Sequence, residues 1–323
     1  MCYSAKVRAE YREYVREYGA VLSLDAYVRE YWEQMGDEWV KKLPKAVRAW
    51  FADPQTADEA RIQAAIADWE ARETTKTQQD LFAQAKRLAD AERALQTKVT
   101  KKAQNDQRVA TNKIGQFKTK LDDLRRTELK PRDSRIYPGS LAPVIVWEDG
   151  RRVVKLMRYQ CRPAGKPAAY DRQYPGTYNA RRDHLEGFWR GQFGHTHGVM
   201  LADAFYEHVL RHNMEGRELA PGEAEENVVL EFRPNTGQRM VVACMWSHWK
   251  GRGGEPDLLS FAAITDDPPP EVAAAGHDRC IIPIKPENID AWLQPNPADL
   301  AASYAILDDR ERPFYEHQLA AAA

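Results

Sequence analysis

Cysteine is scarce in this sequence. Its 323 residues contain four cysteines, Cys2, Cys161, Cys244 and Cys280, and no two of them are spaced as a Cys-x-x-Cys pair. So few and such scattered thiols exclude a disulfide framework and the paired-cysteine type of zinc site. We therefore expect reduced thiols, and Cys2, at the second position, is the cysteine whose chemistry has to be considered first.

Long apolar runs are also missing. No stretch approaches the roughly 18 consecutive apolar residues of a membrane span, and no apolar segment follows Met1 as in a secretory leader. Position 2 is not the glycine that myristoylation requires. These absences predict a cytoplasmic protein without a membrane partner. The formal net charge of −1 gives no whole-chain signal for or against nucleic acid.

Residues 5–130 are instead rich in Ala, Glu, Lys, Arg and Gln, with apolar residues at helical spacing. The segment TADE at residues 56–59 has the pattern of a capping box at a helix start. Leu81, Leu88 and Leu95 recur at intervals of seven, which predicts two long helices in an antiparallel hairpin. Residues 76–132 carry 15 Lys and Arg against 7 Asp and Glu. This excess suits either a solvated helix face or a surface for phosphates or a protein partner.

After Pro131 the pattern changes to short apolar strands separated by turn residues. The run APVIVWEDGRRVVKLMRY predicts a hairpin, because Asp149-Gly150 suits a type I′ turn. The run NVVLEFRPNTGQRMVVACMW predicts a second hairpin around residues 235–237. LLSFAAIT and CIIPI predict buried strands, and KPENIDAWL predicts a helix. This second part is therefore an α+β domain with mostly antiparallel strands.

Four short segments carry a family resemblance. MC at the start, NAR at 179–181, ADAFYEH at 202–208 and HDRCIIPI at 277–284 occur in this order, and RPFYEHQLA follows near the end. Together they resemble the SRAP family, the SOS-response-associated peptidases. The resemblance implies a β-rich core over residues 131–323, on which an N-terminal catalytic segment, residues 1–4, docks. The helical residues 5–130 are then a large insertion near the N-terminus.

The resemblance further implies that the protein senses abasic sites in single-stranded DNA and crosslinks to them through Cys2, with a self-processing peptidase activity that removes Met1. An abasic deoxyribose opens to an aldehyde, an α-amine adds to it as an imine, and a thiol on the same residue closes a thiazolidine ring. The ordinary pKa values are about 7.7–8.0 for the amine and about 8.5 for the thiol, so both groups can react near neutral pH. No cofactor is implied.

Four residues are implied to serve this chemistry. Asn179 holds the reacting end or the sugar, Glu207 moves protons to and from the amine, and His277 assists ring opening and imine formation as a general acid or base. Arg181 clamps a flanking phosphate. Plain structural interpretations stay open beside these roles: an inert terminal cysteine, a turn asparagine, a strand-end glutamate, and a histidine in a cap or ion pair.

Other residues offer chemistry of their own. Arg158 and Arg162, with Tyr178, form a basic and aromatic set that suits single-stranded DNA. His195 and His197 would lie on the same face of a strand, as two metal ligands could. The sequence spacing indicates no third ligand, so we predict no metal site. Stacking on an unpaired base is open to one of three tryptophans that otherwise suit the core: Trp189, Trp246 and Trp249.

The sequence also departs from the family pattern. Tyr3 and Ser4 stand where many members have Gly-Arg, so a phosphate contact near the nucleophile has to come from Arg8 or from the helical arm. Two other functions stay open. One is a cysteine peptidase that cleaves other proteins with Cys2 and His277 as its pair. The other is a non-catalytic adaptor that binds a partner through the helical arm.

Overall fold

The computed structural model describes residues 4–7, 11–22, 38–251 and 253–320. The chain divides into two compact units, one comprising Met1–Asp53 with Pro131–Ala323 and the other Pro54–Lys130. The sequence predicts that a helical insertion begins at residue 5. The second unit instead begins at Pro54, because residues before it contribute strands and short helices to the first unit.

The first unit is built on one sheet, in which the described residues form twelve strands. Most neighbouring strands are antiparallel, and three pairs are parallel, so the predicted α+β core with mostly antiparallel strands is confirmed. The strands are β1 (Ser4–Val7), β2 (Val21–Leu22), β3 (Arg135–Ile136), β4 (Leu141–Glu148), β5 (Arg151–Tyr159), β6 (Asn179–Arg181), β7 (His197–Leu210), β8 (Asn227–Pro234), β9 (Met240–Trp249), β10 (Leu258–Asp266), β11 (Cys280–Ile281) and β12 (Tyr315–Leu319).

Ten α-helices accompany these strands in the described part of the chain. They are α1 (Tyr11–Tyr18), α2 (Glu38–Lys42), α3 (Lys45–Arg48), α4 (Ala57–Thr97), α5 (Lys101–Arg125), α6 (Tyr170–Gln173), α7 (Arg211–Met214), α8 (Pro270–Ala274), α9 (Ile289–Leu293) and α10 (Leu300–Asp308). Among the described residues, no helix combines the length and the apolar character that crossing a lipid bilayer requires.

The first predicted hairpin is present. Strands β4 and β5 pair antiparallel from Leu141↔Arg158 to Glu148↔Arg151. The two residues between them, Asp149 and Gly150, have φ values of 50° and 75°, as a type I′ turn requires. An Asp-Gly turn between two apolar-alternating runs is therefore a reliable local signal, because it depends on adjacent residues only.

The second predicted hairpin is wrong. Strands β8 and β9 flank a turn at residues 235–239, but they do not pair with each other. Both pair with β7, whose first half lies along β9 and whose second half lies along β8. A strand of 14 residues is long enough to serve two partners in succession, and nothing in the local sequence of β8 and β9 reveals that competitor.

Strand β1 differs from the helical assignment that the sequence favours from residue 5 onward. It lies between β7 and β3, with Ala5 paired to Phe205 on one side and to Ile136 on the other. Four residues give too short a pattern to identify a strand. Both partner strands lie more than a hundred residues further along the chain, so the pairing is purely tertiary.

The second unit is a pair of long helices. Thr56 caps α4 by accepting a hydrogen bond from the Glu59 N–H at 3.2 Å, and the Glu59 carboxylate accepts from the Gln55 N–H at 2.5 Å. Helix α5 returns along α4 in the predicted antiparallel hairpin, with Arg87 and Asp106 2.6 Å apart. The heptad leucines are half-buried, and the buried positions between the helices include small residues: Ala91, Ala103 and Ala110.

Candidate active site

A buried carboxylate lies near the C-terminal end of β7. Glu207 is fully buried, and it is paired with Leu230 on β8. The residue before it, Tyr206, is paired with Ser4 on β1 and with Glu231 on β8, so β7 is covered on both edges here. An ionised carboxylate in such a place is costly unless hydrogen-bond donors or a positive charge compensate it.

His277 lies beside this carboxylate. Its Nε2 atom lies 3.1 Å from the Glu207 carboxylate, and its side chain is buried as well. The histidine follows α8 and Gly276, whose φ of +91° is a conformation that side chains with a Cβ avoid. A Cβ at Gly276 would also lie 2.8 Å from the Cβ of Asn213. The glycine therefore ends α8 in a turn that directs His277 toward Glu207.

The backbone of Arg279 holds the other side of the imidazole ring. His277 Nδ1 lies 2.9 Å from the Arg279 carbonyl oxygen and 3.2 Å from the Arg279 amide nitrogen. The carbonyl accepts from Nδ1 when it carries a proton, and the N–H donates to Nδ1 when it does not. The ring keeps a partner in both states, which suits a group that gains and loses protons during a reaction.

Asn179 is the third predicted catalytic residue, and it lines a cavity. It lies on β6, paired with Ala263 of the parallel strand β10. The side-chain amide is buried, and neither its nitrogen nor its oxygen makes a hydrogen bond within the part of the chain that the structure describes. The cavity, of about 510 Å³, is also lined by Arg181, Asp278 and Arg279. The space therefore adjoins the residues that follow His277.

Cys2, the predicted nucleophile, lies outside the described residues, as does Arg8. The first described residue is Ser4, which is buried beside Tyr206. Arg135 ties the two together: its Nε donates a 2.9 Å hydrogen bond to Ser4 Oγ, and its guanidinium carbon lies 3.8 Å from the centre of the Tyr206 ring. Burial, followed by the charge of Glu231, raises the pKa of the Tyr206 hydroxyl. These contacts fix the start of β1 next to Glu207.

The other three cysteines do not resemble nucleophiles. Cys161, Cys244 and Cys280 are reduced and buried. Burial raises the pKa of all three thiols, that of Cys161 to about 12. A thiol must ionise to attack, so these three are held in the unreactive form near neutral pH.

Arg181, the predicted phosphate clamp, is in place to meet a ligand. It follows Asn179 on β6, lines the same cavity, and keeps 41% of its side chain exposed. Its guanidinium makes two hydrogen bonds to Asp183, of 2.9 and 2.6 Å. Those bonds, ahead of other causes, lower the pKa of the Asp183 carboxyl. A phosphate at Arg181 would therefore compete with Asp183.

The other three predicted DNA contacts are engaged inside the protein. Arg158 and Arg162 both bind Asp171, at 2.7 and 2.5 Å, and their side chains are almost buried. Burial acts to raise the pKa of Asp171, but the hydrogen bonds from Arg162 and Arg158 outweigh it and lower the pKa. Tyr178 is buried, with its ring edge-on to Tyr159 at 5.6 Å.

The histidine pair and the tryptophans also have structural surroundings. His197 is buried, accepting from the Gly194 N–H at 2.9 Å and lying 3.0 Å from the Trp292 carbonyl, whereas His195 is exposed. Among the described residues, no three His, Cys, Asp or Glu side chains converge as metal ligands. Two of the three tryptophans are buried and the third is half-buried: Trp189, Trp249 and Trp246.

Two further residues of this region, Thr177 and Arg135, were not predicted from the sequence. Thr177 lines the same cavity, is 4% exposed, and has a hydroxyl without a hydrogen-bond partner in the described structure. Arg135 carried no motif, and only the pairing of β1 with β3 reveals its role. The sequence signal that could have identified Thr177 is its position two residues before Asn179.

Comparison with known proteins gives a family and a set of distant structures. The family model described as "SOS response associated peptidase (SRAP)" matches residues 93–319. No curated protein matches the chain. Solved structures that it resembles include a Bordetella bronchiseptica protein (16% identity, TM-score 0.45, 61% of this chain and 90% of that one). Another is a Bacteroides thetaiotaomicron protein (14% identity, TM-score 0.45, 58% of this chain and 77% of that one).

Proposed function

Because this chain belongs to the SOS response associated peptidase (SRAP) family, we propose that it recognises abasic sites in single-stranded DNA and crosslinks to them through Cys2. The adduct is a thiazolidine, formed after self-processing has removed Met1. The observation that carries the proposal is the buried Glu207–His277 pair, with 3.1 Å between its nitrogen and oxygen atoms. It lies one residue along β7 from the partner of Ser4.

The length of chain before Ser4 supports Cys2 as the group that this pair serves. Cys2 precedes Ser4 by two residues, and two residues of chain span at most about 7 Å. Ser4 is paired with the neighbour of Glu207 and is tied down by Arg135. The other three thiols are buried with raised pKa values, which leaves Cys2 as the candidate nucleophile.

The reaction requires proton transfers that the pair is suited to make. The α-amine of Cys2 adds to the sugar aldehyde, Glu207 accepts a proton from the nitrogen, and His277 donates one to the oxygen, which gives a carbinolamine. His277, reprotonated by Glu207, then protonates the hydroxyl, which leaves as water while Glu207 accepts the second proton of the nitrogen, and the imine forms. The Cys2 sulfur then adds to the imine carbon, its proton passes to the nitrogen, and the thiazolidine ring closes with one water released overall. His277 recovers its proton from Glu207, across the 3.1 Å contact.

Asn179 and Arg181 are proposed to hold the substrate. The Asn179 amide offers a donor and an acceptor to the opened sugar or to the reacting amine, and both atoms lack partners among the described residues. Arg181 binds the phosphate next to the abasic sugar, by exchanging Asp183 for the ligand. The ion pairs of Arg158 and Arg162 with Asp171 favour a supporting role for these two arginines.

The deciding experiment is a crosslinking assay. The full-length protein, shown by intact mass to lack Met1, is incubated with single-stranded DNA that carries one abasic site, and the products are separated on a denaturing gel. We expect a shifted band whose mass equals protein plus DNA minus one water. The band should be absent with Cys2→Ala, with protein whose α-amine is acetylated, and with DNA that carries a tetrahydrofuran in place of the abasic sugar.

Other results would favour the competing functions. Turnover of peptides without DNA, sustained by a protein with one residue added before Cys2, would indicate a cysteine peptidase that acts on other proteins. A Cys2→Ala variant that behaves as wild type in cells, together with no adduct in the gel, would indicate an adaptor.

A further inference from the structure

The cavity beside Asn179 has a wall that the crosslinking chemistry does not use. Two aromatic side chains on this wall, Tyr174 and Phe188, are 41% and 42% exposed, although both are large apolar groups. Their ring centres are 6.2 Å apart, at an angle of 60°. Exposed aromatic rings that line a concave site suggest a partner for their faces.

A buried layer holds these two rings in place. Tyr170 lies behind both, at 4.4 Å from the Tyr174 ring and 6.3 Å from the Phe188 ring, and Trp189 meets Phe188 edge-on at 5.0 Å. Tyr170 and Trp189 are buried. The segment that carries Tyr170 and Tyr174 is anchored through Asp171, which binds Arg158 and Arg162. The wall is therefore built before any ligand arrives.

The cavity also contains buried polar atoms that lack partners in the described structure. These are the hydroxyl of Thr177 and both amide atoms of Asn179, whose side chains are 4% and 7% exposed. Together they offer hydrogen-bond donors and acceptors to a ligand with both kinds of group. Leaving such atoms unpaired costs free energy, which a polar ligand would recover.

Positive charge lines the same cavity. Arg181 and Arg279 face it, against one carboxylate, Asp278. Aromatic faces, a mixed donor and acceptor edge, and guanidinium groups are the three elements that proteins use to bind a nucleotide of a single strand. The volume of about 510 Å³ lies within the usual range for small-ligand sites, roughly 300–1,000 Å³.

We propose that this cavity binds one unpaired base of the DNA strand, next to the abasic nucleotide, stacked against Tyr174 and Phe188 with its polar edge toward Thr177. The proposal rests on the crosslinking function, since it names the neighbour of the reacting sugar. Asn179 lines the same cavity, which also reaches Asp278 and Arg279, the two residues after His277. The site selects strands whose bases are unpaired, because the polar edge of a paired base is hydrogen-bonded to its complement and cannot turn toward Thr177.

Binding can be tested apart from crosslinking. The probe is single-stranded DNA with one tetrahydrofuran, which has no aldehyde, and fluorescence anisotropy at fixed salt gives the affinity. We expect Tyr174→Ala and Phe188→Ala each to weaken binding about 5-fold or more, since stacking on an aromatic side chain contributes about 1–3 kcal/mol per base. Tyr174→Phe and Phe188→Tyr keep a ring and should bind as wild type. Phe314→Ala, which removes another exposed ring in a different cavity, is the matched control.

A second readout locates the base. With 5-iodouracil placed beside the tetrahydrofuran, irradiation should attach the DNA to Tyr174 or Phe188, as mapped by mass spectrometry of the digested full-length protein. Wild-type affinity in the double alanine variant, or photoadducts only on other surfaces, would overturn the inference. If the wild-type protein crosslinks aldehydic DNA while these two results go against the cavity, the proposed function stands and this site falls. If photoadducts form at the cavity but the protein makes no crosslink with aldehydic DNA, the base-binding site stands and the proposed crosslinking function falls.

Discussion

The imidazole of His277 and the carboxylate of Glu207 meet inside the protein, 3.1 Å apart, although one follows a short helix and the other lies within the longest strand of the sheet. Both side chains are buried. The Arg279 backbone holds the Nδ1 side of the imidazole, so the ring is fixed from the side opposite its contact with Glu207.

Replacing the carboxylate isolates its chemical role. Glu207→Gln keeps the shape and a hydrogen-bonding oxygen, and we expect it to slow crosslinking about 10²- to 10⁴-fold, the range for losing one acid–base group. Affinity for tetrahydrofuran DNA should not change. Single-turnover gel assays measure the rate. Glu148→Gln, which removes a carboxylate paired with Lys155 at 2.6 Å, should leave the rate unaltered. Equal rates for Glu207→Gln and wild type would remove Glu207 from the mechanism.

Arg181 and Asp183 should act in opposite directions on DNA binding. Arg181→Ala loses a phosphate contact, so affinity should fall for all sequences and the slope of log K against log salt should shrink by about 1. Asp183→Asn removes the carboxylate that competes for the guanidinium, so its affinity should rise. Anisotropy titrations over a series of KCl concentrations give both values. A slope that stays constant in Arg181→Ala would contradict the phosphate clamp.

Asp171 should matter for stability. Its removal leaves two nearly buried guanidinium groups without their shared carboxylate, and we expect Asp171→Asn to lower the free energy of unfolding by about 3 kcal/mol. Urea unfolding measures this loss, and the exposed carboxylate variant Asp183→Asn should change it by less than about 0.5 kcal/mol. If Arg158→Ala instead reduced the salt slope of DNA binding with stability intact, the sequence-based assignment of Arg158 to DNA would be supported.

Alanine substitutions at two glycines with nearly the same φ distinguish the cost of backbone strain from the cost of a steric clash. Gly276 and Gly254 have φ values of +91° and +90°, but only at Gly276 does an added Cβ meet a neighbour, Asn213, at 2.8 Å. Gly254→Ala should cost about 1–2 kcal/mol of strain alone. Gly276→Ala should cost more and also slow crosslinking, because it displaces His277. Similar losses in both variants, with normal crosslinking, would show that the turn at Gly276 does not position the histidine.

His197 predicts a pH dependence of stability. Burial lowers its pKa to about 3, whereas an unfolded histidine has a pKa of about 6.5. Below about pH 6.5 the unfolded chain therefore binds a proton at this histidine that the folded protein does not bind. As the pH is lowered, this difference decreases the free energy of unfolding by about 1.4 kcal/mol per pH unit. Urea unfolding between pH 7 and pH 5 should show a shallower decline for His197→Gln than for wild type. His195→Gln, at an exposed position two residues away, should decline as steeply as wild type.

Features encoded by adjacent residues were predictable from the sequence. The β4–β5 hairpin depends on Asp149-Gly150, and the start of α4 depends on Thr56 and Glu59. The strands that pair with β8 and with β9 were not predictable in this way. Their pairing is decided by a third strand, β7, and the local pattern does not show which of several apolar strands will be the neighbour.

The residues of the candidate site likewise fall into those that the sequence could identify and those that it could not. Glu207 and His277 could be named because each lies in a recognisable motif, and their contact is now visible. Thr177, Tyr174 and Phe188 lie outside any motif, and their common cavity exists only after β6 has joined the sheet. Arg158 and Arg162 stood out as cations, but the sequence does not show that Asp171 lies between them.

The position of β1 inside the sheet also bears on how the protein is made. Residues 4–7 need Ile136 and Phe205 as neighbours, so β1 has no strand to pair with until much of the later chain has been synthesised. His277 emerges later still. A domain with such distant pairings forms its site late in folding. Under the proposed function, a nascent chain therefore carries Cys2 for most of its synthesis without Glu207 and His277 beside it, and the assistance that this pair gives to crosslinking begins only when translation is nearly complete.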